Sequence, residues 1–423
     1  MKCKKLTALA VACIAVAIGC VWKPLGLDIL VAVWVIRLFP KSAHRNIQAC
    51  VYLTVRVGNK GVATQDLGAS RGMISAAVQA MKRHPKVAWV QVACGNALES
   101  VALFNRAQSL AVRDADAIQA VINALRQFPM NKEVQKLTAC LSSFNDYAPE
   151  NRPIILQKGG IDLIFTAMKN FYNDSEVLFR TGCAISATSG DQGVAAAIAA
   201  DDNIPFLMQM MRDHLKSYRV GQEIMQATRN LMMFDTPDRS HREVLLRNGF
   251  AKAALDTIKA EMHERGTPTI GSTNLGLLAH KNKTLQDQLL ADGAVETILK
   301  AMNKYSVLDT SGYGGITTSD VWPTLPSASQ AIWCLARNNS AVQARLVEAG
   351  AISLFVRLMK AYPTDLRILG YCCAALAEMA QQDEKKLQLI AEAGGVGEWC
   401  QPHLLGKASQ VNLEHLESMI GMF

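Results

Sequence analysis

Few residues in this chain have the types and spacing that catalysis or metal binding requires. Cys400 and His403 form a Cys-x-x-His pair, but two ligands do not make a zinc site. His241 and Glu243 are two residues apart, so on a helix they would face different sides. The sequence contains no P-loop, no Gly-x-Ser-x-Gly elbow and no His-Glu-x-x-His motif. We therefore expect no enzyme activity, no catalytic residue, no cofactor and no metal site.

One apolar segment recurs along the chain, for example as AIQAVINALRQFP at 117–129 and AISLFVRLMKAYP at 351–363. An apolar anchor residue near its start returns at spacings of 43 to 47 residues, with a single spacing of 57. The anchors are Ile29, Ile74, Ile118, Ile161, Ile204, Ala251, Val295, Ile352 and Val396. Seven residues after each anchor stands another apolar residue, except in the last copy, which has His403. A turn with Gly or a usual substitute precedes most anchors, and it indicates a position of positive φ.

A helical pattern with a period of about 43 to 45 residues predicts a stacked solenoid, because each unit needs its neighbours to cover its apolar stripe. The composition agrees, since half of the residues are apolar and only 6% are aromatic. Ala, Leu and Met favour helices, whereas strands would need more aromatic and β-branched residues. We expect an all-α fold.

At these positions the pattern resembles armadillo repeats, most clearly in 338–380, where we expect helices at 341–348, 351–360 and 365–380. The endings of the type AMKRHP and the Cys-rich third helix are similar to the divergent armadillo repeats of leucine-rich-repeat kinases and other armadillo repeat-containing proteins. The resemblance implies a right-handed superhelical solenoid. HEAT repeats are the structural alternative, and the single Gly-marked break before the second helix favours armadillo.

The resemblance also implies where a ligand would bind. In armadillo proteins the third helices line a concave groove, and importin-like members carry a Trp-x-x-x-Asn pair on each of them. Here Trp333 matches the Trp, but Arg337 stands where Asn is expected, and Asn230 stands without a Trp. Other equivalent positions hold Ser100, Ala187, Leu277 and Glu378, so a regular Asn ladder is absent. The expected groove residues are Asn230, Trp333, Arg337 and Glu378.

Five of the eleven cysteines fall 20 to 22 residues after an anchor, on the expected third helices: Cys50, Cys94, Cys140, Cys183 and Cys373. Packed helices lie roughly 10 Å apart, whereas a disulfide needs Cα atoms closer than about 7 Å. We therefore expect small buried thiols in a reducing compartment rather than disulfides.

The N-terminal region is basic and begins with an apolar run. Residues 1–86 contain 13 Lys and Arg but only two acids, which gives a charge of +11, and the rest of the chain has −3. Residues 6–22 are uncharged and mostly apolar. They suit a signal-anchor, a helix that caps the first repeat, or a cleaved signal. The basic region would suit an anionic membrane, but no basic-aromatic cluster favours nucleic acid.

The longer spacing before Ile352 reflects an insertion rich in Gly, Ser, Thr and Pro at 306–327. An insertion in a repeat protein forms a loop on one face, often a binding face, and a disordered spacer is the alternative. Trp322 is its best candidate for anchoring a partner.

These features predict three segments: 1–24, about eight repeats over 25–395, and a closing unit at 396–423. We expect a non-enzymatic scaffold or adaptor that binds a protein partner along the concave face. The alternatives are a membrane-tethered organiser anchored by residues 6–22 and a chaperone-like cofactor that binds a client. We expect a cytoplasmic protein, membrane-associated if residues 6–22 form an anchor.

Overall fold

The computed structural model describes residues 26–58, 60–200, 202–217, 219–235, 240–306, 324–380 and 384–394. Within these ranges the chain forms α-helices and one 3-10 turn, with no β-strand. The helices divide into two compact units, one ending at Ile198 and the other beginning at Ala199.

The first unit contains thirteen described helices and the second contains twelve. In the first unit they are α1 (Leu27–Leu38), α2 (Ala43–Val57), α3 (Val62–Ser70), α4 (Met73–Arg83), α5 (Ala88–Ala102), α6 (Arg106–Asp114), α7 (Ala117–Gln127), α8 (Lys132–Gln135), α9 (Thr138–Asn145), α10 (Arg152–Gln157), α11 (Gly160–Asn170), α12 (Ser175–Thr188) and α13 (Gln192–Ile198), with the 3-10 turn at Pro149–Asn151. In the second unit they are α14 (Asn203–Asp213), α15 (Val220–Met232), α16 (His241–Arg247), α17 (Phe250–Ala260), α18 (Gly266–Ala279), α19 (Lys283–Ala291), α20 (Ala294–Lys304), α21 (Thr324–Ala336), α22 (Ser340–Glu348), α23 (Ala351–Ala361), α24 (Leu366–Ala380) and α25 (Glu384–Glu392).

The anchors of the sequence repeat mark the start of one helix in each repeat. Seven of them occupy the second residue of a helix, and Ile29 occupies the third residue of α1. The apolar residues seven positions later are all buried, with at most 2% of their surface exposed: Ile36, Met81, Leu125, Met168, Met211, Ile258, Met302 and Met359. One face of the second helix of each repeat therefore belongs to the core. Val396 lies outside the described residues.

The turn before these helices has a left-handed backbone in most repeats. One residue of this turn has φ between 64° and 83°: Gly26, Gly72, Asp116, Gly159, Gly249, Gly293, Gly350 and Gly394. Where the preceding helix is described, this residue comes two positions after the end of that helix. Gly tolerates this conformation because it has no Cβ, and Asp is among its usual substitutes. In 338–380 the three helices begin and end within one residue of the predicted bounds.

Within each unit, equivalent helices pack on one another. Third helices pack as α2 on α5 and α9 on α12 in the first unit, and as α18 on α21 and α21 on α24 in the second. Small residues allow this approach: a Cβ built on Gly276 of α18 would lie 3.0 Å from the Cα of Ala331 on α21. The core is therefore a series of nearest-neighbour interfaces, as in other repeat proteins.

Buried amides join the first helices of neighbouring repeats. The Asn105 amide donates to the Gln65 side-chain oxygen at 3.1 Å, and the Asn339 amide donates to that of Gln286 at 3.2 Å. Each Asn also caps its own helix, since its Oδ1 accepts the backbone N–H of Gln108 or Val342. These polar bonds fix the register between repeats.

The prediction of unbridged cysteines is wrong for Cys50, Cys94 and Cys373. Cys373 is disulfide-bonded. Another disulfide joins Cys50 to Cys94, and their Cα atoms lie 5.1 Å apart. The prediction used the distance between helix axes. Two helices with a Cα radius of about 2.3 Å, packed about 10 Å apart, bring the Cα atoms on their facing sides to about 5 Å. Cys140 and Cys183 form no disulfide, as predicted.

The predicted loop at 306–327 is too long at its C-terminal end. Residues 324–327 form the first turn of α21, where Pro326 is tolerated because the first turn lacks intrahelical N–H partners. Residues 307–323, including Trp322, lie outside the described residues, as do 1–25 and 395–423. None of the described helices is both long and apolar enough to cross a membrane. The cytoplasmic location stays a prediction.

Candidate partner-binding face

The predicted groove residues lie on or directly after the third helices of the second unit. These helices are α15, α18, α21 and α24, and each packs on the next. Asn230 lies on α15, Trp333 on α21 and Glu378 on α24, and Arg337 directly follows the end of α21.

Trp333 lies inside an aromatic cluster. Its side chain is fully buried, and its ring centroid is 6.0 Å from those of both His280 and Tyr371. The guanidinium carbon of Arg337 lies 5.5 Å from the centroid of the same ring, within the range of a cation–π contact. His280 directly follows α18, Trp333 lies on α21 and Tyr371 lies on α24. The cluster therefore forms contacts between three successive third helices.

The burial of Trp333 does not fit the wall for partner side chains that the family resemblance implied. With no exposed surface, the indole cannot contact a partner in this structure. Its Nε1 is buried and has no hydrogen-bond partner among the described residues. Trp333 instead packs in the core, and its ring contacts the Arg337 guanidinium.

Arg337 and Glu378 form the polar part of the cluster. Arg337 is half-buried, whereas Glu378 is 8% exposed. A carboxylate oxygen of Glu378 accepts the backbone N–H of Asn338 at 3.2 Å. Burial raises the pKa of Glu378 above its ordinary value, while the Asn338 bond and the Arg337 charge act in the opposite direction. The Arg337 charge therefore offsets part of the effect of burial on this carboxyl.

Asn230 does not belong to this cluster. It is half-buried on α15, and its side-chain oxygen accepts the Gln226 amide at 3.2 Å. The intervening helix α18 is buried, and its Asn274 amide donates to the Met225 carbonyl at 2.8 Å. The structure therefore brings together Trp333, Arg337 and Glu378, but not Asn230.

Sequence reasoning missed His280 and Tyr371. Burial, with a smaller effect of Cys334, raises the pKa of Tyr371 to about 12. The repeat itself contained a signal for His280, which precedes Val295 by 15 residues as Arg337 precedes Ile352. No comparable spacing indicated that the ring of Tyr371 would reach Trp333.

The first unit has a different polar contact on its third helices. Arg180 on α12 lies 3.6 Å from the carboxylate of Glu99 on α5. Burial raises the pKa of Glu99, and the Arg180 charge opposes this shift. The thiol of Cys140, on the intervening α9, is fully buried. This ion pair spans one repeat, and no feature of the sequence indicated it.

His241 and Glu243 have different surroundings, as their spacing predicted. The His241 side chain is buried, with its Nδ1 3.5 Å from a carboxylate oxygen of Asp235, whereas Glu243 is exposed and pairs with Arg247 at 2.8 Å. In the described parts of the chain no three His, Cys, Asp or Glu side chains are grouped to hold a metal ion. Cys400 and His403 lie outside those parts.

No model of a known protein family matches this chain. No curated protein matches it in sequence either.

Solved structures show the fold. An engineered protein solved by a structural genomics consortium has a TM-score of 0.69 to this chain at 16% identity, over 92% of each chain. A chain from a study of the phosphorylation switch that controls the interaction between cadherin and beta-catenin has a TM-score of 0.60 at 14% identity. This match covers 85% of the present chain and 66% of the other, which is an armadillo-repeat protein. The predicted all-α, armadillo-like solenoid is thus confirmed.

Proposed function

We propose that this chain is a non-enzymatic scaffold or adaptor that holds a protein partner on the third-helix face of the second unit. Arg337 carries the proposal: the residue is half-buried, its guanidinium carbon lies 5.5 Å from the centroid of the buried Trp333 ring, and its charge acts on Glu378. The solenoid fold supports it, and one structural neighbour comes from a study of the interaction between two proteins, cadherin and beta-catenin.

The cluster is suited to recognising a polypeptide. Arg337 offers a planar set of donors that can bind a carboxylate or main-chain carbonyl groups of the partner. Its guanidinium carbon lies 5.5 Å from the centroid of the Trp333 ring, and this contact limits the side-chain freedom that would be lost on binding. Arg is also among the residues that dominate binding energy at protein interfaces.

The proposal includes the absence of catalysis. The titratable groups of the cluster serve as structural partners, since Glu378 accepts a backbone N–H and Tyr371 packs in the core. The pKa of Tyr371 is raised to about 12, which keeps the phenol neutral near pH 7. A general acid or base needs a pKa near the working pH.

Affinity capture with a charge-reversal variant tests the proposal. The bait is the full chain as wild type, Arg337→Glu, and the matched control Arg357→Glu, which makes the same change on α23, a second helix. Arg357 is exposed and donates to the side-chain oxygen of Asn303 at 2.6 Å. Circular dichroism must first show equal folding of the three baits.

A partner of this face should be recovered with the wild type and with Arg357→Glu. Its recovery should fall about tenfold or more with Arg337→Glu, the change that about 1.4 kcal/mol produces. Equal recovery with all three baits would place the binding surface elsewhere.

A further inference from the structure

The loops that join second to third helices lie side by side in the first two repeats. They follow α1 at 39–42 and α4 at 84–87, and α1 packs on α4. A ring nitrogen of His84 lies 2.9 Å from the carbonyl oxygen of Pro40, so the two loops are in contact. The Gln91 amide donates to the carbonyl oxygen of His84 at 2.8 Å, which fixes the second loop to its own third helix. The two loops therefore form one edge of the first unit.

This edge is strongly basic. We define the basic edge as residues 37–44 and 82–89, which contain five Lys and Arg but no Asp or Glu. The five cations are all exposed: Arg37, Lys41, Lys82, Arg83 and Lys86. In the part of the chain that the structure describes, only Lys82 among them forms an ion pair, with Asp116 at 2.8 Å. Such a pair on the surface is weak.

The charge of this edge is specific to the first two repeats. Its residues stand 8 to 15 positions after the anchors Ile29 and Ile74. The same eight positions contain at least one acid in each of the six repeats from Ile118 to Ile352. These acids include Glu133, Asp174, Asp213, Glu261, Asp309 and Asp365. The basic edge is therefore not a requirement of the repeat fold.

The remaining acids of the first two repeats do not neutralise the edge. They are Asp28, Asp66 and Glu99. Asp28 on α1 and Glu99 on α5 each lie about 15 Å along the helix axis from the edge residue of the same helix, Leu38 or Trp89. They pair with Arg56 at 2.6 Å and with Arg180 at 3.6 Å. Asp66 accepts the amide of Asn105, which follows the far end of α5, at 2.9 Å.

Apolar side chains project from the same edge. Leu38 is 70% exposed and Trp89 is 62% exposed. Trp34, one helical turn before Leu38 on α1, is 52% exposed. Phe39 is partly exposed, and the guanidinium carbon of Arg45 lies 3.6 Å from the centroid of its ring. Single exposed apolar residues are ordinary on a protein surface, but here they stand among five cations.

We infer that the basic edge docks on the surface of an anionic lipid bilayer, with Leu38 and Trp89 among the headgroups and the cations against the lipid anions. Basic clusters are attracted to the negative potential of such a membrane. Trp favours the interface between lipid and water, and apolar side chains add to the binding when they enter it. This inference is independent of the proposed function, which concerns the second unit.

The apolar residues favour a bilayer over an acidic polypeptide or a nucleic acid. Either of these would be attracted by the cations alone, and its binding would not depend on the Leu38 side chain. A bilayer interface receives protruding apolar side chains without a matching pocket. The loops are already held by hydrogen bonds, so docking costs little further ordering of the backbone.

Co-sedimentation of the full chain with vesicles tests the charges. The vesicles contain phosphatidylcholine and phosphatidylserine, or phosphatidylcholine alone. The edge variant is Lys41→Glu, Arg83→Glu, Lys86→Glu. The matched control makes the same change of net charge at exposed residues of the second unit, Arg247→Glu, Lys300→Glu, Arg357→Glu. All forms retain residues 1–25, so a contribution of that segment is common to them, and circular dichroism must show equal folding.

The edge variant should bind the anionic vesicles about tenfold less tightly than the control variant, or weaker still, because it replaces attraction by repulsion at the membrane surface. On phosphatidylcholine alone the two variants should behave alike. Equal binding of the two variants to the anionic vesicles would overturn the inference.

A second pair of variants tests the apolar contact. Leu38→Ser, Trp89→Ser should weaken binding to the anionic vesicles by about tenfold or more, since two side chains no longer enter the interface. The control is Val62→Ser, Phe104→Ser, because these exposed residues follow the far ends of α2 and α5. This control should bind like the wild type. If charge reversal abolishes binding but Leu38→Ser, Trp89→Ser does not weaken it, the bilayer is overturned in favour of an acidic polypeptide or a nucleic acid.

Discussion

The ring of Trp333 lies 6.0 Å from the ring of Tyr371, and the two residues belong to successive third helices. Both are at least 96% buried. The residue that a motif search would place in a ligand groove thus works as a contact between repeats. Arg337 and His280 are the half-buried members of the cluster.

Trp333→Ala should destabilise the second unit by about 3 to 5 kcal/mol, because it removes a fully buried aromatic side chain and leaves a cavity. Urea unfolding measures the free energy, and hydrogen exchange in α18, α21 and α24 assigns the loss to this unit. The control is Trp89→Ala, since Trp89 is 62% exposed and should cost about 0.5 kcal/mol or less. Equal effects of the two substitutions would contradict the buried cluster.

Glu378→Gln should remove a pH dependence of stability. Burial raises the folded-state pKa of Glu378 above its ordinary 4.5. Between these two values the folded state binds more protons than the unfolded state, so the contribution of Glu378 falls as pH rises from 4.5 through the raised pKa. The difference in unfolding free energy between Glu378→Gln and wild type should therefore move in favour of the variant over this window. A difference that is constant with pH would show that the carboxyl is not perturbed.

Reduction of the Cys50–Cys94 disulfide should destabilise the first unit. The bond closes a loop of 44 residues, for which the chain-entropy relation gives about 4 kcal/mol as an upper value. Urea unfolding with and without dithiothreitol, compared with the Cys50→Ala, Cys94→Ala double variant, measures this. The variant should lose the reductant effect that comes from this bond, read from amide exchange in α2 and α5, because Cys373 forms another disulfide that dithiothreitol also reduces. Cys140→Ala, which removes a free thiol, should retain the effect in α2 and α5. Alkylation of both cysteines in the unreduced, unfolded chain would show that the bond is absent.

Asn339→Ala should cost about 1 to 3 kcal/mol, because it removes a helix cap and leaves the buried side-chain oxygen of Gln286 without this donor. Asn303→Ala is a suitable comparison, since Asn303 is exposed on α20 and should cost much less. Thermal unfolding of both variants measures the difference. Equal midpoints would mean that the amide contacts between repeats contribute little.

The sequence predicted the helices well because the signals for them are local. A left-handed Gly turn, an anchor two residues later and an apolar residue seven positions further on depend on backbone geometry and on one helical face. The bounds of α22, α23 and α24 were accordingly correct to within one residue. Only at 324–327 did a composition typical of loops conceal the first turn of a helix.

The candidate site was less predictable, because the burial and the contacts of its residues depend on the packing of neighbouring repeats. The sequence determined that Trp333, Arg337 and Glu378 lie on or beside third helices. The tertiary structure decided that Trp333 is buried, that Arg337 acts on Glu378 and that His280 and Tyr371 join them. It also decided that Cys50 and Cys94 meet. The physical reason is the same in each case: exposure and contact depend on how closely two helices approach, and that distance is set by packing along the whole interface rather than by the residue itself.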